Sequence, residues 1–282
     1  MTHPQIAVFA RLAKENTPPI RAIEGQRTKI SRTMHGFAFD DMHDEIVVTS
    51  PLTQAVLIFR GGANGEEPPI RVIQGRNTQI LGDARGGNDK VSVDPVNNEI
   101  LVPTGKGGIS GEGPIPTAIL VFDRMANGDV APKRVLSGPD TRIDGRKPPV
   151  AVDPIRNLLV VNIGRALLIF DRTASGNAKP KAAIEGPNSG VAGISSFQVY
   201  PPKGWIISGC TGGSVCAWSI TDSGDAPPRW KIPVQQLTGH VASGIALDPL
   251  HREIIFSAAG QRVRPPSGIM NTVMTFSWPE IF

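Results

Sequence analysis

Residues 149–186 read PVAVDPIRNLLVVNIGRALLIFDRTASGNAKPKAAIEG. Four short runs stand in that stretch: VAVDP (150–154), LLVV (158–161), ALLIF (166–170) and KPKAAIEG (179–186). Each is short, rich in apolar residues and bounded by Pro, Asn, Asp or Gly, which is how a β-strand between turns is written. In chain order we name the four patterns a, b, c and d. The a-to-b link is tight, as in Asp94-Pro95-Val96-Asn97-Asn98, and rests on Pro and Asn turn chemistry. The c-to-d link, DRTASGNAKP (171–180), carries Gly or Asn where a positive φ is expected.

Outward from this stretch the same sentence recurs. Pattern a returns as FAFDD (37–41), VSVDP (91–95) and IALDP (245–249), with FQVYP (197–201) a degenerate copy. Pattern b returns as EIVV (45–48), EILV (99–102), WIIS (205–208) and EIIF (253–256). Pattern c returns as AVLIF (55–59), AILVF (118–122), SVCAW (214–218) and TVMTF (272–276), with an extra copy, IAVF, at 6–9. Pattern d returns as PPIRAIEG (18–25), PPIRVIQG (68–75) and APKRVLSG (131–138). Four strands repeated in fixed order every roughly 48–63 residues predict an all-β chain, a β-propeller of four-stranded antiparallel blades. A β-sandwich has a similar strand count but needs no such repeat.

The count gives five full repeats plus an N-terminal half repeat, hence five or six blades in one domain, 1–282. A propeller leaves no open edge where its first and last blades meet. The N-terminal strands, 6–25, are therefore expected to close the ring with 243–278. The rival is an incomplete sixth blade on the N-terminal hairpin, through which an oligomer could form, because a lone hairpin is marginal in water.

Composition sets the outer bounds. Gly 31 and Pro 26 make about a fifth of the 282 residues, which suits a chain that turns every few residues. Apolar content is 40% and charged content 19%, the balance of a folded globular chain. No apolar run approaches the length of a membrane-spanning helix. No basic n-region with an apolar core opens the chain, so the cytoplasm is the default expectation.

The phrases GIALDP with REIIF, and PPVAVDP with NLLVVN and ALLIFDR, resemble the NHL-repeat and SMP-30/gluconolactonase-like class of six-bladed propellers. The resemblance covers nearly the whole chain and speaks for architecture. Such propellers include lyases, lactonases, RNA binders and plain scaffolds, so the function has to come from the site. The resemblance also admits an extracytoplasmic location. It implies that ligands enter on the face of the d–a and b–c loops.

The long, irregular links, 76–90, 104–117, 139–149 and 258–271, are all d–a or b–c loops, and long loops on a rigid frame are where binding residues sit. They are basic, whereas the a–b links are acidic. The Asp of each a–b link has a plain local role, capping its own turn. Arg76, Arg142, Arg146 and Lys147, on d–a loops, are the candidate partner- or anion-binding residues. The expected partner is a protein or an anionic ligand. Only 5% of the chain is aromatic, too little for a base-stacking platform, so sequence-specific nucleic acid is not expected.

The catalytic candidates are His35, Asp89 and Ser195, set at the channel mouth by their spacing from the strand-a acids. A Ser/His pair needs hydrogen-bond contact and an orienting group, neither of which spacing supplies. No cofactor is expected. The one group the resemblance admits is a divalent cation at the central channel, and Asp89 with Asn88 offers oxygens from a single loop, short of the set such an ion takes. The leading reading is thus a non-enzymatic binding scaffold. A lactonase- or lyase-like hydrolytic enzyme is the alternative, and a polyanion binder the second. Cys210 and Cys216 flank the hairpin turn in GCTGGSVC. A two-residue turn would place them on opposite faces and a three-residue turn opposite each other. Free thiols packed as small apolar groups are the favoured reading.

Overall fold

The computed structural model describes residues 5–31, 36–81, 90–105, 117–144, 148–193, 197–239, 241–259 and 271–282. These fall into two compact units, one running to Gly138 and the other holding Pro139–Asp144 and Pro148–Phe282. The fold is all-β, a β-propeller of four-stranded antiparallel blades. Every quoted run stands as a strand; the strand Trp230–Ile232 matches no quoted copy of pattern d, and among the described residues four sheets have the full four strands and the last has three.

The first unit opens with β1 (Gln5–Val8) and β2 (Arg21–Glu24), an antiparallel sheet of two. One blade follows, made of β3 (Phe37–Asp40), β4 (Glu45–Ser50), β5 (Ala55–Arg60) and β6 (Arg71–Gln74). The next blade is β7 (Ser92–Asp94), β8 (Glu99–Thr104), β9 (Ala118–Asp123) and β10 (Arg134–Ser137).

The second unit holds a blade of β11 (Val150–Asp153), β12 (Leu158–Asn162), β13 (Ala166–Asp171) and β14 (Ala182–Glu185). A second blade is β15 (Phe197–Tyr200), β16 (Trp205–Cys210), β17 (Ser214–Ser219) and β18 (Trp230–Ile232). The short helix α1 (Val234–Thr238) leads into a sheet of three, β19 (Val241–Asp248), β20 (Glu253–Ala259) and β21 (Asn271–Ser277). No helix among the described residues is long and apolar enough to cross a membrane.

The central strands b and c of the blades β3–β6, β7–β10 and β11–β14 are buried along almost their whole length, so simple alternation is absent from them. Strand β5, for example, buries all of Ala55–Phe59. The c-strand aromatics fill the space between neighbouring sheets. Phe122 packs with Val47, Val56, Ile58 and Ile73 of the preceding blade, and Trp218 with Val160, Leu167, Ile169 and Ile184. Both are fully buried. The indole N–H of Trp218 donates to the Ser189 carbonyl at 3.0 Å, so its one polar group is satisfied too.

The a–b turns show why their acids are there. The Asp94 carboxylate accepts from the Asn97 backbone N–H at 3.0 Å and from its side-chain amide at 2.8 Å. Asp153 accepts the N–H groups of Ile155 and Arg156, both at 3.0 Å. Asp40 and Asp248 hold the N–H groups of His43 and His251 in the same way. Asp40, Asp94 and Asp153 are buried, so these carboxylates are spent on their own turns and lend little charge to the surface.

The hairpin of β16 and β17 corrects the sequence reading of the cysteines. Cys210 pairs with Ser214, so the loop has three residues, Thr211, Gly212 and Gly213. Cys216 faces Ser208 across the ladder, which sets the cysteines diagonally on one face with Cα atoms 5.9 Å apart. They form a disulfide, and neither is a free thiol. The one-residue difference in loop length decides which face Cys216 occupies.

Candidate binding surface on the blade loops

Every complete d strand of the PxRxIxG type runs into one kind of turn. The residues are GQRTKI (25–30), GRNTQI (75–80), GPDTRI (138–143) and GPNSGV (186–191). The third residue after the Gly is a buried Thr or Ser: Thr28, Thr78, Thr141 and Ser189. Its hydroxyl donates back to the Gly carbonyl, at 2.6 Å from Thr28, 2.7 Å from Thr78 and 2.7 Å from Ser189. The same oxygen accepts a backbone N–H two residues on, from Ile30, Ile80, Ile143 and Val191. The residue between adopts the left-handed region, with φ of 58° at Lys29 and Gln79, 60° at Arg142 and 64° at Gly190. Each turn therefore fixes a hydroxyl inside and points the next residue away from it.

A second repeated device ties each turn to the following blade. The c–d links read ANGE (63–66), ANGD (126–129), ASGN (174–177) and DSGD (222–225). Gly128 donates to the Val72 carbonyl at 2.7 Å and accepts from the Gln74 N–H at 3.1 Å. Gly65 does the same with Ala22 and Glu24, and Gly224 with Ala183 and Glu185. The Asn127 side chain accepts from the Val72 N–H at 3.0 Å. Asp129 then accepts the Asn77 N–H at 2.7 Å at the start of the turn, as Asp225 accepts that of Asn188 at 2.7 Å. Gly75 must be glycine twice over: its φ is 140°, and a Cβ there would stand 2.3 Å from the Asp129 carboxyl carbon.

This frame carries exposed side chains. Arg76 opens the turn Arg76–Thr78 and is exposed. Arg142 is exposed, and its guanidinium donates to the Glu185 carboxylate at 2.5 Å. Arg165 forms two hydrogen bonds to Asp144, at 3.0 and 2.7 Å, and that partner raises its already high pKa. Exposed pairs of this kind are worth about 0–1 kcal/mol and leave the cations available to exchange partners. Lys90, just before β7, is half-buried, and desolvation lowers the pKa of its ammonium.

Arg146 and Lys147 lie outside the described residues, as do His35, Asp89, Asn88 and Ser195. Among the described residues no group of three or more His, Cys, Asp or Glu side chains is placed to hold a metal ion. Sequence reasoning missed the Thr/Ser lock and the Asp latch. The signal for the lock was the spacing G-x-x-[TS]-x-[IV], present in all four copies.

No family model matches the chain, and no curated protein matches it.

Proposed function

We propose that the chain is a non-enzymatic binding scaffold whose partner, a protein surface or other anionic ligand, is met by the turns that follow the d strands. One observation carries this reading: the turns keep an identical locked core while the outward residue changes from blade to blade, Lys29, Gln79, Arg142 and Gly190. A constant frame with variable, exposed tips is how rigid repeat proteins present a binding surface. The resemblance to the NHL-repeat and SMP-30/lactonase-like class supports the same face. Basic tips favour an anionic partner, because exposed cations raise the local concentration of anions and speed their capture.

The test is retention on a heparin column at low salt, followed by a salt gradient. The variant carrying Arg76→Glu, Arg146→Glu and Lys147→Glu is expected to elute at lower salt than the parent, and lower still with Arg142→Glu added. Charge contacts of this kind weaken as salt shortens the screening length, about 8 Å at physiological ionic strength. A parent protein that flows through, or a reversed protein eluting at the parent's salt, removes the anionic partner from the reading.

A further inference from the structure

The N-terminal hairpin occupies two of the four strand positions of a blade. Its register is that of the outer pair c and d. Val8 faces Arg21, as Ile58 faces Arg71 and Val121 faces Arg134. The N–H of Ile20 donates to the Val8 carbonyl at 2.8 Å, as Ile70 does to Ile58 and Lys133 to Val121, both at 2.7 Å. The outer edge of β2 is taken by Gly65, as that of β6 is by Gly128. In the complete blades of this unit the c strand pairs on both sides, β5 with β4 and β6, and β9 with β8 and β10. Among the described residues β1 pairs on one side only, with β2.

Two further features mark what belongs on the side of β1 that has no strand partner among the described residues. The first is charge. In each complete blade of this unit the d-strand arginine reaches over strand c to a buried glutamate at the start of strand b. Arg71 meets Glu45 at 2.6 Å, and Arg134 meets Glu99 through two bonds of 2.6 Å. Arg21 stands at that same position of β2 and donates to a carbonyl instead, that of Ala63, at 2.7 Å. The second is an apolar face. Ile6 and Ile23 of the hairpin pack on Ile46, Val48, Leu57 and Phe59. Further inward on the same face, paired with Val48 and Ile46, stand Phe37 and Phe39, 64% and 52% exposed.

We propose that the β1 edge, with Phe37 and Phe39 beside it, is a docking site for an extended polypeptide segment that adds antiparallel to β1. The register fixes its chemistry. Glu45 faces Arg60, two residues beyond the c-strand residue that faces the arginine, and Glu99 faces Asp123 in the same way. The incoming strand therefore carries a carboxylate opposite Ala10, within reach of Arg21. An apolar residue follows two positions on, on the side of the carboxylate, as Val47 follows Glu45 and Leu101 follows Glu99, because strand side chains alternate between faces. Backbone pairing supplies affinity and the Arg21 pair supplies register, as in other strand-addition sites. The site lies apart from the d–a turns and stands or falls independently of them.

The probe is a fluorescein-labelled peptide with the sequence of residues 43–50, HDEIVVTS, a b strand of this chain, titrated into the full chain and read by anisotropy. Replacing the peptide's glutamate by arginine, or Arg21→Glu in the protein, is expected to weaken binding by roughly tenfold or more, as loss of a close charge pair at an interface does. Combining the two reversals is expected to restore it, a result that misfolding of the Arg21 variant cannot produce. No binding of the parent peptide by about 1 mM, a floor of roughly 4 kcal/mol, overturns the proposal. Reversals that leave affinity unchanged overturn it as well. So does a dimer formed through β1 that excludes the peptide, for then the occupant is a second copy.

Discussion

The carboxylate of Asp129 holds the backbone N–H of Asn77 at 2.7 Å and its side-chain amide at 3.1 Å, from the c–d link of the next blade. The contact caps a turn whose first N–H groups would otherwise point at solvent, as an N-cap residue does for a helix. Here the cap comes from another blade, so it also fixes the spacing of neighbouring sheets. The Thr78 hydroxyl locks the same turn from inside. The exposed tip, Gln79 in this blade, is thereby held by contacts that involve none of its own side chain.

Removing the latch is expected to loosen blade contacts in proportion to the bonds lost. Asp225 accepts three, from Asn188 N–H at 2.7 Å, its amide at 2.8 Å and Ser189 N–H at 2.8 Å, against two at Asp129. Asp129→Ala should cost about 1 kcal/mol, and Asp225→Ala more, up to about 2 kcal/mol, the range measured for lost caps. Urea unfolding of the two variants checks the order. Equal stability of both variants and the parent would show that solvent replaces the carboxylates without loss.

The strands were legible because each is a short apolar run with its own punctuation, and because the runs recur. β11, β12, β13 and β14 fall within the stretch that sets the pattern. The devices that position the candidate surface were less legible for a physical reason. Asp129 and Asn77 are far apart in the chain, and nothing local to either announces the other. Thr28, Thr78, Thr141 and Ser189 sit among residues that vary freely, so the eye passes over the one that does not. In the b–c hairpin the sequence GCTGGSVC admits either loop length. Both Gly212 and Gly213 take positive φ, 75° and 64°, within the three-residue loop, and ladder register rather than composition made the choice.

The Cys210–Cys216 disulfide should give no free thiol by titration of the protein unfolded without reductant. A bridge over so short a loop restrains the unfolded chain by about 2 kcal/mol in the chain-entropy account. Its neighbours, Ile206 and Trp218 among them, are fully buried members of the same apolar cluster. Reduction, or Cys210→Ala with Cys216→Ala, should lower unfolding free energy by that order and leave the blades intact by circular dichroism. Two titratable thiols per chain under those conditions would return the cysteines to the free-thiol reading.

Lys90 gives the stability of the first unit a pH dependence with a definite sign. Burial lowers its pKa below the ordinary 10.5, because desolvation disfavours the ammonium. Below the lowered pKa the side chain is charged both folded and unfolded, and folding bears the whole desolvation cost. As pH rises through the lowered value the folded state releases its proton first, and the cost shrinks. Above 10.5 both states are neutral and it is gone. Lys90→Met keeps the length of the side chain without the charge, beside the buried Val91. The variant is therefore expected to be more stable than the parent at pH 7, with an advantage that closes as pH climbs past the ordinary lysine range. Urea midpoints of parent and variant, measured side by side across that interval, isolate this group from every other that titrates there. An advantage that stays constant with pH would assign it to packing, and no advantage at pH 7 would mean that water reaches the ammonium in full.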